Sequence, residues 1–341
     1  VKLDLPLSVG GADAAEAARR LAEAGVDGAY AFEGPNDVFV PLARAAGAAP
    51  IDLYSNIAVS FPRSPVHLAH TAWDLAHLSG GRFLLGLGSQ VRAHVERRFG
   101  AEFAHPARRM AEQVDAVRAI FRAWQDGTPL DHRGEFWQLD LMPPLFRPNP
   151  LPSGPPPVLV AAVGPRMTEV AAAHADGVLL HPFTADRYVH DHTVPVLDAA
   201  LAAAGRRRDG FVVVGGAIAA LSGAGCDQQT ADDAARGLVA FYGSTPAYRP
   251  VLDAVGHGEL QPELRTLTRA GRWAEMGGLV DDAVLASIVL RGTAEEVATQ
   301  LVERYAGVAD RVGVTLPHAV DLADVAALAD AVAAAVAARG V

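Results

Sequence analysis

The sequence predicts an α/β chain folded as a (β/α)8 TIM barrel, on three observations. Short apolar runs rich in β-forming residues alternate with alanine-rich stretches of helical period through most of the 341 residues, the pattern of parallel strands joined by helical crossovers. Eight such units can be counted, and eight in this length fit one barrel better than two separate domains. Half of the residues are hydrophobic and 20% are charged, enough apolar material for a sizeable core. The expected unit is a single domain over 1–341, with its chemistry at the C-terminal ends of the strands.

The strands are expected at 3–9, 28–33, 52–61, 82–89, 158–163, 177–183, 211–221 and 311–317. Helices are expected at 13–24, 38–48, 65–78, 106–124, 165–175, 185–204, 294–305 and 321–338. The junction before the fourth strand is the clearest: Gly80-Gly81 lets the preceding helix end in a left-handed cap, and Phe83 to Leu87 reads as a buried strand. Two stretches break the rhythm. One spans 130–157, where Arg133-Gly134-Glu135-Phe136-Trp137 precedes eight prolines between Pro143 and Pro157. Such a segment is neither a regular helix nor a central strand, and it reads as an excursion before strand five, either a rigid surface connector or a wall over the site. The second, 226–290, is mostly helical, carries Phe241-Tyr242-Gly243 and Trp273, and stands between strands seven and eight as a pocket-shaping insertion.

Composition narrows the function. The net charge is −10 and the only basic block is Arg206-Arg207-Arg208, so a nucleic-acid partner is not expected. Cys226 is the only cysteine, which excludes an internal disulfide and a cysteine-rich metal site. No run approaches the roughly 18 apolar residues of a membrane span, and the N-terminus lacks a basic-then-apolar leader pattern, so a cytoplasmic protein without a membrane partner is expected. Lys2 is the only lysine among 29 basic residues, so no other residue can form a lysine Schiff base. Gly86-Leu87-Gly88 lacks the third glycine of a dinucleotide fingerprint, since Val91 stands there, and no Walker loop or serine elbow is present. His67 and His70, like His190 and His192, have no carboxylate completing a ligand motif, and no metal is expected.

The chemistry-bearing stretches lie at strand ends. Ser79-Gly80-Gly81-Arg82-Phe83-Leu84-Leu85-Gly86-Leu87-Gly88-Ser89 ends in glycines that let a flat ring approach the backbone. Strand five runs into Ala162-Val163-Gly164-Pro165-Arg166, where Gly164 frees the backbone, Pro165 suits a first helical turn, and the turn's amides can bind an anion. Arg166 either adds charge there or pairs with Glu169. Strand six ends in His181-Pro182-Phe183, a natural second wall for the same anion.

Together with Ser64-Pro65-Val66-His67-Leu68-Ala69-His70, the 79–89 wording resembles the signature of the bacterial-luciferase-like family of flavin- and deazaflavin-dependent oxidoreductases, most closely its coenzyme F420-dependent actinobacterial members. The resemblance spans 27–317 and is densest over 52–89. It implies hydride transfer between F420 and a small organic substrate in a homodimer, with Gly164 and Pro165 in the cofactor-phosphate loop. It also implies that Ser55, Asn56, Ile57 and Ala58 form a bulge behind the cofactor ring, with a cis peptide at Asn56-Ile57. Glu33 stands where deazaflavin-dependent relatives place an acidic residue followed by histidine, but Gly34 replaces that histidine. Glu33 is therefore either a general acid at the ring or a cap of the following turn. Ser89, Gln90 and His94 follow strand four and are candidates to hydrogen-bond ring or substrate, His94 with acid-base chemistry. The resemblance also permits FMN in a monooxygenase served by a separate reductase, or a non-catalytic flavin-binding subunit. A phosphate-binding barrel lyase or isomerase shares the Gly164 loop without flavin affinity.

Overall fold

Eight parallel strands close on themselves in the computed structural model, which describes residues 1–8 and 13–340. The strands in chain order are β1 (Lys2–Pro6), β2 (Gly28–Ala31), β3 (Asp52–Ser55), β4 (Ala58–Val59), β5 (Phe83–Gly88), β6 (His132–Arg133), β7 (Gln138–Leu139), β8 (Val158–Ala162), β9 (Gly177–Leu180), β10 (Val212–Leu221), β11 (Leu290–Gly292) and β12 (Arg311–Thr315). The barrel order is β1-β2-β3-β5-β8-β9-β10-β12, closed by the parallel pairing of β12 with β1. These are the eight expected strands, each within a few residues of its expected bounds; Val9, the predicted end of the first, lies outside the described residues.

The start of the barrel is fixed by one device used three times. Asp27, Asp176 and Asp310 each stand just before a strand and accept the backbone N–H of the neighbouring strand's first residues, Leu3 at 2.8 Å, Val158 at 2.9 Å and Val213 at 2.7 Å. Each aspartate returns its own backbone N–H to the carbonyl of the same residue. A carboxylate bonded to a backbone N–H makes a strong, register-setting contact. Inside the barrel, Tyr30, Tyr54, Leu84, Leu159, Leu179 and Val214 form a buried layer. Beneath it, Arg311 of β12 grips Asp4 of β1 with two bonds of 2.6 and 2.8 Å, reaches Asp52 at 2.9 Å, and leaves Asp4 to accept from the Tyr54 hydroxyl.

The structure departs from the expectations in three elements. The run 52–61, expected as one strand, is two, β3 and β4, separated by a cis Asn56–Ile57 peptide at the bond the resemblance implied, so β4 continues the path alongside β5. The helix expected over 185–204 is interrupted: Asp186–Tyr188, a π-helical turn at Val189–Thr193, then Val194–Ala203. Pro195, which has no N–H to give to the preceding turn, accounts for the break. The 130–157 excursion contains a hairpin of β6 and β7. It is tied to the helix Pro106–Gln125 by Glu112, whose carboxylate accepts the N–H groups of Glu135, Phe136 and Trp137 at 2.7–2.8 Å. The 226–290 insertion brings its own apolar cluster, including Val239, Leu252, Leu264 and Leu285, which packs on Phe183 and Ile218 at the barrel rim. Among the described residues, no helix is long and apolar enough to cross a membrane, and no group of three or more His, Cys, Asp or Glu side chains is placed to hold a metal.

Candidate active site

At the C-terminal ends of β8 and β9 lies a cavity of about 550 Å³. Ala162, Val163, Gly164 and Pro165 form one wall and His181 and Phe183 another, so the two strand ends read as an anion site do face one space. Gly164 is the N-cap of the helix Pro165–His174, and no side chain caps that helix. A Cβ built on Gly164 would meet nothing within 4 Å. The backbone therefore opens directly onto the cavity, and the first turn offers the Arg166 N–H at the positive end of the helix dipole, since Pro165 has no N–H and Met167 and Thr168 donate to the Gly164 carbonyl. Thr184 adds a hydroxyl, the Thr168 and Thr193 hydroxyls donate to the Gly164 and Tyr188 carbonyls, and Ala247, Pro250 and Asp253 close the space from the insertion. A backbone amide and a hydroxyl at a helix start suit a phosphate oxygen. The Arg166 side chain does not join them: it is exposed and makes no ion pair with Glu169.

The bulge lies two strands away, since β4 pairs with β5 and β5 with β8. At a strand spacing of about 4.8 Å this is roughly 10 Å along the barrel rim. Ser55 does not face a ligand. Its hydroxyl donates to the Gly86 carbonyl at 2.8 Å and accepts the Gly86 N–H at 2.9 Å. The glycines of β5 are explained by the same contact: a Cβ on Gly86 would fall 1.9 Å from the Ser55 carbonyl oxygen, and one on Gly88 would fall 2.6 Å from Ile57. Their smallness admits the bulge. Asn56 and Ile57 remain half-buried at the strand end, whereas Ala58 is buried in the β4 ladder.

Glu33 is turned inward. Its carboxylate accepts the Val59 N–H at 2.7 Å and a bidentate pair from Arg63 at 2.6 and 2.7 Å, and only 5% of the side chain is exposed. It clamps the end of β2 to β4 and to the turn before the helix Pro65–Leu78; it neither caps its own turn nor lines the cavity. Gln90 has a left-handed backbone with φ of 54°, its side-chain oxygen accepts the Val91 N–H, and Ser89 donates to the Gln90 carbonyl. His94 is exposed on the short helix Arg92–Arg97 and has no acid-base partner among the described residues. Pro182 is half-buried beside the cavity wall without lining it.

Other residues complete the mouth. His181 stacks on Tyr248 with centroids 4.3 Å apart and meets Tyr242 edge-on at 4.7 Å. Its Nδ1 accepts the Phe183 N–H at 3.0 Å, so the neutral ring carries its proton on Nε2. Burial pushes its pKa down to about 3. Burial also pushes the Tyr242 and Tyr248 hydroxyls up, and all three groups are neutral near pH 7. Tyr30, whose hydroxyl donates to Val314 and meets Thr315 at the end of β12, is likewise held up by burial and by the nearby Tyr242. The signal for this wall was present in Phe241-Tyr242-Gly243, but no local pattern says that an insertion helix folds over the barrel.

A model of the luciferase-like monooxygenase family matches residues 6–311. The chain is 45% identical over 313 residues to an uncharacterized protein of Mycobacterium tuberculosis, covering 92% of each. It is 31% identical over 250 residues to a 5,10-methylenetetrahydromethanopterin reductase of Archaeoglobus fulgidus, covering 70% of this chain and 69% of that one. Among solved structures, the coenzyme F420 dependent tetrahydromethanopterin reductase from Methanopyrus kandleri superposes with a TM-score of 0.79 at 19% identity over 98% and 99% of the two chains, a likeness of fold. The matched span covers most of the chain: this chain belongs to the luciferase-like monooxygenase family.

Proposed function

We propose that this protein is an oxidoreductase that moves hydride between coenzyme F420 and a small organic substrate. The observation that carries the reading is the cavity at Gly164, where an uncapped helix start, a glycine with open space at its Cβ and the Thr184 hydroxyl offer room and donors for a phosphate. When bound, the deazaflavin supplies the hydride chemistry; the protein positions it. The Arg166 N–H of the first turn holds the phosphate, Phe183 walls it, and Asn56 and Ile57 present the bulge about 10 Å away as a backing for the ring. Glu33 serves as a positioning residue that fixes β4 through Val59 and Arg63. The reductase relatives support F420, and the family's monooxygenase description favours FMN as the second reading.

The Gly164→Val variant tests the cradle. The backbone at φ −117° and ψ 166° accepts any residue, and the new side chain has room outside the core. It is expected to melt like the wild type and to bind F420 at least about tenfold more weakly, without changing affinity for the dephosphorylated chromophore. Unchanged F420 affinity in the folded variant would move the phosphate site elsewhere.

A further inference from the structure

Three polar atoms at the barrel mouth have no hydrogen-bond partner among the described residues, yet none is sealed from its surroundings: Nε2 of His181 and the hydroxyls of Tyr242 and Tyr248. They belong to one body of rings. Tyr248 stacks on His181, Tyr242 meets His181 edge-on, and Tyr242 and Tyr248 stand perpendicular with centroids 6.1 Å apart. His181 directly follows Leu180, the last residue of β9, so the cluster stands at the C-terminal end of the strands, where a TIM barrel carries out its chemistry.

The chemistry of the cluster is restricted. No arginine or lysine belongs to it and, unlike Gly164 at a helix start, Tyr242 stands at the C-terminal, negative end of the helix Gln228–Gly243, so a carboxylate or phosphate brought here would lose water without gaining a countercharge. The ring faces of His181 and Tyr248 cover each other, which leaves edges and polar tips as the contact surface. An imidazole N–H and two phenolic hydroxyls are donors that suit the lone pairs of an uncharged oxygen. We infer that Tyr242, Tyr248 and the Nε2–H of His181 form a donor wall that holds a neutral carbonyl or hydroxyl oxygen of the substrate over the barrel mouth. The inference rests on the oxidoreductase reading above for its use, and assigns that reaction a neutral, oxygen-bearing substrate class.

The test uses Tyr242→Phe and Tyr248→Phe, which each remove one oxygen and keep the ring stack. Cyclohexanone and its isostere methylenecyclohexane serve as probes in ligand-detected NMR titrations of the full chain, with and without saturating F420. The wild type is expected to prefer the ketone, each variant to lose about 2- to 10-fold of ketone affinity, and methylenecyclohexane affinity, F420 affinity and melting temperature to stay at wild-type values. Absence of a ketone preference in the wild type overturns the inference, as does ketone binding that survives both substitutions. A fall in F420 affinity with ketone binding intact would reassign the phenols to the cofactor. If F420 binds none of the proteins, the cofactor reading fails, while the cofactor-free titrations still decide the wall.

Discussion

Glu33 has both carboxylate oxygens committed, to Val59 N–H and to the Arg63 fork, so its removal acts first on structure. Glu33→Gln is expected to lower stability by about 1–2 kcal/mol, because a largely buried guanidinium loses the nearer of its two charged partners and keeps Asp37 at 3.0 Å; urea denaturation with an unchanged midpoint would refute the clamp. His181 gives a pH signature. Its folded pKa of about 3 lies below the ordinary 6.5, so the unfolded chain binds the extra proton, and stability is lost as pH falls from 6.5 toward 3. His181→Gln is expected to flatten the fall of melting temperature across that window relative to wild type. Parallel curves would mean that His181 titrates normally in the folded protein. Residue identity alone made His181 and Glu33 conspicuous, and the two differ only in partners: Arg63 lies 30 positions from Glu33, beyond any local pattern.

Strand β5 and the N-cap of the helix Pro165–His174 both carry glycines that the sequence marks as ligand contacts, and the structure separates them. Gly86→Ala would drive a Cβ against the Ser55 carbonyl at 1.9 Å, backbone that cannot step aside, and is expected to cost about 3 kcal/mol or more, or to prevent folding. Gly164→Ala, in open space with an ordinary φ, is expected to stay within about 0.5 kcal/mol of wild type. Paired thermal melts check both, and equal effects would contradict the distinction. The strand starting at Phe83 and the helix at Pro165 were legible because glycine, proline and apolar runs punctuate them locally. The split of β3 from β4 was legible only through family resemblance, since nothing in 52–61 by itself breaks a β run. The hairpin in the proline-rich excursion was not legible, because Glu112, the residue that shapes it, belongs to a distant helix.

For the whole molecule, barrel closure rests on contacts between the ends of the chain. Arg311 joins β12 to Asp4 of β1, and burial pushes the Asp4 carboxyl up while Arg311 and Tyr54 draw it down. Arg311→Met is expected to destabilise by about 3–5 kcal/mol by leaving Asp4 buried and unpaired, with part of the loss recovered in the Asp4→Asn/Arg311→Met double variant. A double variant no more stable than the single one would show that the pair is not the source. Eight alternating units sufficed to reveal this closure in outline, whereas the packing of the 226–290 insertion on the rim depends on contacts between elements with no common local signal. The central claim, a barrel that holds a deazaflavin by its phosphate at Gly164, is tested most directly by titrating the purified wild-type protein with oxidised F420 and, in the same buffer, with FMN, following fluorescence. The account predicts saturable F420 binding, tighter than that of FMN; tighter binding of FMN, or no binding of F420, would contradict it.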